Sequence, residues 1–196
     1  MTKLTGIKIT DLEKKLNIRI KKNAKVLGLD TATRTGWCLL ITDNNIINKE
    51  YGFISVKTKD KNKYFQYNEI IDLFNNVIKK EYEVIIEDTF FRFNPSVFRL
   101  ISRIGAIAYT LAHLKGCSVK YILATSARKN LGFLGNMKKK DFHIAFLNKS
   151  ELDLADDIDI IDAYVLALNG LLDDKQYKIG EENGQKETLQ IGDKDE

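Results

Sequence analysis

Five acidic residues stand where acids are costly. Asp30 closes the apolar run Val26-Leu27-Gly28-Leu29, and Glu87 and Asp88 close Val84-Ile85-Ile86. Asp159 and Asp162 are embedded in the apolar stretch from Ile158 to Leu168. A buried charge is expensive unless it is paired or holds a metal. Strand alternation sends Glu87 and Asp88 to opposite faces, so only one of the two can join Asp30, and the residues alone leave the choice open. Asp159 and Asp162 are three residues apart and share a helix face, where two carboxylates repel unless a cation lies between them. Asp156 and Asp157 differ from these: they read as N-cap and first-turn acids favoured by the helix dipole. No His or Cys cluster competes with this set. Oxygen-only ligation selects hard cations, chiefly Mg²⁺, with Mn²⁺ able to substitute. Two such ions roughly 4 Å apart clamp the attacking and leaving oxygens of a phosphodiester, one activating water and the other stabilising the departing 3′ oxygen. The products expected are a 5′-phosphate and a 3′-hydroxyl.

The elements that must position these residues follow from periodicity. Strands are expected at about 25–30, 35–42 and 46–56, with Asp43-Asn44-Asn45 as a hairpin turn. A helix over about 61–80 follows from the spacing of Phe65, Ile70, Leu73, Phe74, Val77 and Ile78. A short strand ends at Glu87-Asp88. A helix over about 96–115 is apolar on more than one face and so needs a partner on each side, with a second copy of the chain as one candidate. A strand at about 118–123, a helical turn from Thr125, a Gly- and Lys-rich loop over 132–140, and helices over about 138–148 and 157–172 complete the order. A meander followed by alternating strands and helices predicts an α/β fold, a mixed five-stranded sheet with antiparallel and parallel strands and helices on both faces. Strand one then lies centrally with the Glu87 strand parallel beside it, and sites in such sheets form at the C-terminal strand ends.

The 196 residues suit one domain with tails. The domain is expected over 25–172, preceded by a basic extension, 1–24, and followed by an acidic, disordered tail, 173–196. Residues 1–25 hold eight bases and two acids; Thr10-Asp11-Leu12-Glu13 has capping-box spacing, predicting a short helix over about 10–18. That extension reads either as an arm touching DNA phosphates or as a segment packed on a sheet edge. Residues 173–196 carry eight acids and four bases, so with a chain total of +4 the rest is +8. A basic body suggests a polyanionic partner, most often nucleic acid. Cys38 and Cys117 sit in apolar segments without metal-ligand spacing and read as buried free thiols of a reducing compartment. No signal peptide and no apolar run of membrane-spanning length is apparent, which predicts a soluble, cytoplasmic protein with no membrane partner.

At this point the chain resembles the RuvC-like Holliday-junction resolvases of the RNase H-like superfamily, nearest to their phage-type members. The resemblance covers about residues 25–170. It rests on Val26-Leu27-Gly28-Leu29-Asp30 leading into Thr35-Gly36-Trp37, on Val84-Ile85-Ile86-Glu87, and on Asp159-Ile160-Ile161-Asp162-Ala163. Ala32 departs from the Gly or Ser usual in the family. The resemblance implies that Asp30, Glu87, Asp159 and Asp162 are the catalytic and metal-ligating carboxylates, with two Mg²⁺ ions per site, and it selects Glu87 over Asp88. It implies that Phe90, with Phe91 beside it, stacks on unpaired bases at the crossover. It implies that Arg128, Lys129, Lys138, Lys139 and Lys140 contact DNA phosphates, and that the helix over 96–115 makes a homodimer. The activity implied is metal-dependent resolution of four-way DNA junctions.

Three alternatives compete. An ATP-using enzyme of the actin and sugar-kinase class also begins with a strand, an Asp and a small-residue turn, but needs a second domain. A catalytically silent DNA-binding module is opposed by the retained carboxylates. A broader nuclease for flaps and Y-forks shares every feature of the junction resolvase. His113 and His143 receive no role, although His143 follows the Lys run and lies within reach of a phosphate.

Overall fold

The fold is given by a computed structural model, which describes residues 6–32, 34–55, 65–89, 94–153 and 157–173. The central strand, β2 (Lys25–Asp30), is buried along all but its first residue. It pairs antiparallel with β3 (Arg34–Asp43), which pairs antiparallel with β4 (Ile46–Ser55). Asn44 and Asn45 close the β3–β4 hairpin with φ of 44° and 68°, the positive values that a two-residue turn of matching twist requires. On the other side β2 pairs parallel with β5 (Glu83–Glu87), and β5 pairs parallel with β6 (Ser118–Ile122).

Among the described residues the sheet has six strands rather than the five expected. The sixth is β1 (Ile7–Lys8), antiparallel to β4, giving the order β1-β4-β3-β2-β5-β6. Two residues carry no readable period, which is why the sequence does not announce this strand. It leads directly into α1 (Ile9–Leu16), whose Ile9, Leu12 and Leu16 are buried in the main core. The capping box at Thr10 does not form: Lys8 is the N-cap and makes no side-chain cap bond. Glu13 instead accepts from the Ile20 N–H at 2.9 Å, tying the helix to the segment that enters β2. The N-terminal segment is thus docked on the sheet edge through β1.

Helices cover both faces. On one lie α2 (Phe65–Val77) and α3 (Pro95–Leu114), packed on Leu27, Leu29, Val84 and Ile86. On the other lie α1, α4 (Ala124–Asn130), α5 (Lys139–Ser150) and α6 (Ile158–Gly170), packed on Val26, Leu40 and Ile85. Alternation along β2 and β5 divides their side chains between these two cores, and each fully buried Leu or Ile contributes roughly 1.5–3 kcal/mol. Asn94 caps α3 by accepting from the Ser96 and Val97 N–H groups, and Pro95 occupies its first turn. By length and apolar composition α3 is long enough to cross a membrane. It also carries Arg99 and Arg103, and it lays Ile104, Ala108 and Ala112 into the sheet core. Residues 174–196, the bulk of the expected acidic tail, lie outside the described residues.

Candidate active site

The site is built where α6 lies flat on the C-terminal ends of β2 and β5. Two glycines allow that approach. A Cβ on Gly28 would come within 2.1 Å of the Ala163 carbonyl oxygen and 2.5 Å of the Ala167 nitrogen. A Cβ on Gly36 would come within 2.2 Å of the Asp159 carbonyl oxygen. Backbone therefore rests on backbone, and the carboxylates of α6 are brought down onto those of the sheet.

The strands decide which acids face α6. Val26 packs in the α6-side core, so Gly28 and Asp30, at two-residue steps, share its face. Ile85 packs in the same core, so Glu87 shares that face and Asp88 does not. Asp88 is exposed, its backbone N–H donating to the Ile122 carbonyl. Leu29 lies opposite Ile86 in the parallel register, which brings Asp30 and Glu87 to neighbouring strand ends. The two carboxyl groups are close enough for each to act on the other's charge.

Asp30 is only 7% exposed. Burial first, then repulsion from Glu87 and Asp162, pushes its carboxyl well above the ordinary carboxylate range. Glu87 is raised too, again chiefly by burial, although its interaction with Asp30 opposes the shift. Asp162 behaves differently. Burial would raise it, but a hydrogen bond from His143 and the Lys139 ammonium outweigh burial and hold it below its ordinary value. His143 Nε2 lies 2.8 Å from Asp162 Oδ1, and Lys139 Nζ lies 2.5 Å from Oδ2. Lys139 and His143 are four residues apart on α5 and so act from one face. Burial would lower the Lys139 ammonium, but Asp162 first, and then Asp30 and Glu87, hold it above its usual range.

Asp159 has other partners. Its carboxylate accepts from Arg34, which also grips Asp157 with both guanidinium nitrogens. Asp157 is at the same time the N-cap of α6, accepting from the Asp159 N–H at 3.1 Å. Arg34 lies over the Phe53 ring, 3.8 Å from its centroid, and is raised above its ordinary value, mainly by Asp157. The structure thus gathers Asp30, Glu87 and Asp162, and turns Asp159 toward Arg34 one helical turn away.

The basic segment is more varied than its sequence suggests. Lys138 and Lys140 are exposed on either side of Lys139. Lys129 is exposed on α4. Arg128 is partly committed: it donates to the Met137 carbonyl at 2.8 Å and lies over the Phe142 ring, bracing the loop before α5. Phe90 and Phe91 lie outside the described residues.

Sequence reasoning left two participants unassigned, His143 and Arg34. His143 follows Lys139 by four residues, but nothing in the sequence shows that both face Asp162. Arg34 lay within the quoted motif region but between small residues that gave it no evident partner.

Among the described residues no group of three or more carboxylate, imidazole or thiolate side chains stands ready arranged around a metal position. The oxygens of Asp162 are bonded to Lys139 and His143, and an oxygen of Asp159 is bonded to Arg34. The donor chemistry nevertheless fits a hard divalent cation. Buried oxygens with raised carboxyl pKa values, one of them shared with a neighbour, mark a place short of positive charge.

No family model matches the chain. It is 30% identical over 154 residues to the crossover junction endodeoxyribonuclease RuvC of Sulfurovum sp. strain NBC37-1, a match covering 74% of this chain and 94% of that protein. It is 32% identical over 155 residues to the RuvC of Campylobacter jejuni, covering 74% and 93%. The chain belongs to the RuvC family. The fold agrees: a Thermus thermophilus RuvC structure superposes with a TM-score of 0.61 at 15% identity, covering 76% of this chain and 98% of that one. T. thermophilus RuvC in complex with Holliday junction substrate superposes with a TM-score of 0.56 at 12% identity, covering 74% and 90%. The RNase H-like α/β fold expected from the motifs is thereby confirmed, with one added edge strand.

Proposed function

We propose that this RuvC-family chain is a structure-selective DNA endonuclease that cuts four-way junctions by metal-dependent phosphodiester hydrolysis, leaving 5′-phosphate and 3′-hydroxyl ends. The observation that carries the reading is the juxtaposition of Asp30 and Glu87, side by side on parallel strands, with Asp162 of α6 over them. Asp30, Glu87 and Asp162 would hold the cation, with Mg²⁺ favoured, Mn²⁺ able to substitute, and two ions per site. Asp159 joins this set once Arg34 releases it. When bound, the cations supply the activation of water and the charge stabilisation at the departing oxygen that phosphodiester hydrolysis needs. The chain's own residues do the rest. Asp30 and Glu87 present their carboxyl groups side by side, β2 and β5 fix their separation, and the Lys139 ammonium moves from Asp162 toward the backbone phosphate.

Lys129, Lys138 and Lys140 contact phosphates, and Phe90 and Phe91 stack on unpaired bases, stabilising by about 1–3 kcal/mol per base. Arg128 acts mainly by holding the loop that presents the lysines. A homodimer through α3 accounts for the exposure of Val97, Tyr109 and Leu114, and two-fold symmetry would supply two cuts per junction. The setting is the DNA-containing interior of a cell. The test is incubation with labelled four-way, Y-shaped and linear DNA in Mg²⁺, Mn²⁺ or EDTA. Cutting confined to the four-way substrate, and lost in EDTA, is expected. Equal cutting of Y-shaped DNA would replace junction resolution with general branched-DNA cleavage, and metal-independent cutting would overturn the site.

A further inference from the structure

We infer that His143 is a positioning residue of the acidic centre, fixing Asp162 so that one of its oxygens is kept for a cation. The inference rests on the reading of Asp162 as a ligand. The two groups that hold Asp162 are unlike. Lys139 reaches Oδ2 on a flexible four-carbon stem, and its side chain is about half exposed, 47%. His143 reaches Oδ1 from a ring that is almost wholly enclosed, its side chain 6% exposed. That ring is tilted against Phe142, with centroids 5.7 Å apart, and Phe142 in turn packs on Phe133 and Phe146.

An ammonium on a long exposed stem can be displaced by a divalent cation. An imidazole set in an aromatic cluster has few rotamers to leave by. Oδ2 is therefore the oxygen that changes partners, and Oδ1 is the one that stays bonded to His143. With Oδ1 pinned, the carboxylate cannot turn freely about its own axis, and Oδ2 keeps its direction when Lys139 leaves. Hydrogen bonds of this kind to ligating groups typically set metal affinity and activity by 10- to 100-fold when removed.

The experiment compares the full chain with His143→Phe, His143→Asn, His143→Gln and Asp162→Asn. Mn²⁺ binding to DNA-free protein is measured by calorimetric titration, and cleavage is followed against Mn²⁺ concentration. His143→Phe keeps the ring and loses the donor, and His143→Asn keeps an amide that falls short of Asp162. Both are expected to weaken Mn²⁺ binding about 10- to 100-fold, with cleavage recovering at high Mn²⁺. His143→Gln restores a donor near the Nε2 position and is expected to stay within about 3-fold of wild type. Should His143→Phe melt below the assay temperature, His143→Asn carries the comparison. Wild-type affinity in both His143→Phe and His143→Asn, with binding lost in Asp162→Asn, would overturn the positioning role while leaving the acidic centre intact. Wild-type affinity in Asp162→Asn would overturn the acidic centre itself, and the positioning role with it.

Discussion

The two strand carboxylates and the two helix carboxylates meet at one place and are treated oppositely. Asp30 and Glu87 are buried beside each other, and burial outweighs the help they receive from Lys139, so both are pushed toward their protonated forms. On α6, Asp162 has Lys139 and His143, and Asp159 has Arg34. The protein therefore neutralises its helix acids with its own side chains and leaves its strand acids in deficit. A site built to take up a cation must keep such a deficit somewhere, because full internal pairing would leave nothing for the ligand to stabilise. The deficit sits on the strands because β2 and β5 are rigid and buried. The compensated acids sit on the element whose partners come from side chains able to move.

The largest effects should come from breaking this asymmetry at either end. Asp30→Asn and Asp162→Asn are each expected to reduce cleavage at least 1,000-fold while junction binding persists, as gel-shift and cleavage assays on the same DNA would show. Their stabilities without metal should move in opposite directions. Asp30→Asn relieves repulsion at a buried site and is expected to raise Tm by about 2–4 °C, the equivalent of roughly 1 kcal/mol in a chain of this size. Asp162→Asn strands Lys139 and His143 and is expected to lower Tm by at least as much. A fall in Tm for both variants would show that the strand pair is not in deficit.

The pH dependence sharpens the same contrast. Asp30 is raised on folding, so its contribution is fully present below its unfolded value, near 3.8, and is lost as pH rises through its folded value. Asp162 is lowered, so its contribution is present above about 3.8 and is lost as pH falls through its folded value. Metal-free wild type should thus give up the Asp30 contribution as pH rises from about 3.8 through the folded value of Asp30. Asp30→Asn should lose that part of the decline, and Mg²⁺ should suppress it in wild type. Thermal unfolding from pH 4 to pH 8 would show whether the decline exists and whether Asp30 is its source.

How much of this was legible beforehand differs residue by residue. Asp30 announced itself as a charge at the end of a buried strand. Glu87 could not be separated from Asp88 by composition. The choice follows from Ile85 packing under α6, a tertiary fact that fixes the face of every second residue on β5. The pair on α6 was visible as acids in an apolar helix, but not their separate fates. Whether Asp159 meets Arg34 depends on how the first turn of α6 lies over the start of β3, and only the close contact at Gly36 sets that. The edge strand β1 was hidden because two residues have no period, and His143 because a lone histidine acquires meaning only from what it faces.

A smaller effect would test the Arg34 latch. The Arg34 side chain is about one-third exposed, so its pairing with Asp157 and Asp159 is screened by solvent, and Arg34→Gln should leave thermal stability nearly unchanged. If Asp159 must leave Arg34 to reach a cation, the same variant should lower the Mg²⁺ concentration needed for half-maximal cutting by about 2- to 5-fold, because one competing cation is gone. An increased Mg²⁺ requirement would mean that Arg34 orients Asp159 instead of withholding it.

The smallest effect separates the lysines by what they touch. Lys138 and Lys140 are exposed, and among the contacts described neither bears on the acidic centre, so they should act on DNA through charge alone. Replacing either with Ala should weaken binding by a similar factor on every DNA shape and reduce the slope of log affinity against log salt by about 1. Lys139→Ala removes one phosphate-reaching charge too, but it also frees Oδ2 of Asp162. Its salt slope should fall by the same amount, while its cation requirement for cutting should fall rather than hold constant. Identical behaviour of all three variants would place Lys139 on the DNA-facing rim and leave Asp162 without the exchangeable partner that distinguishes it from Asp30.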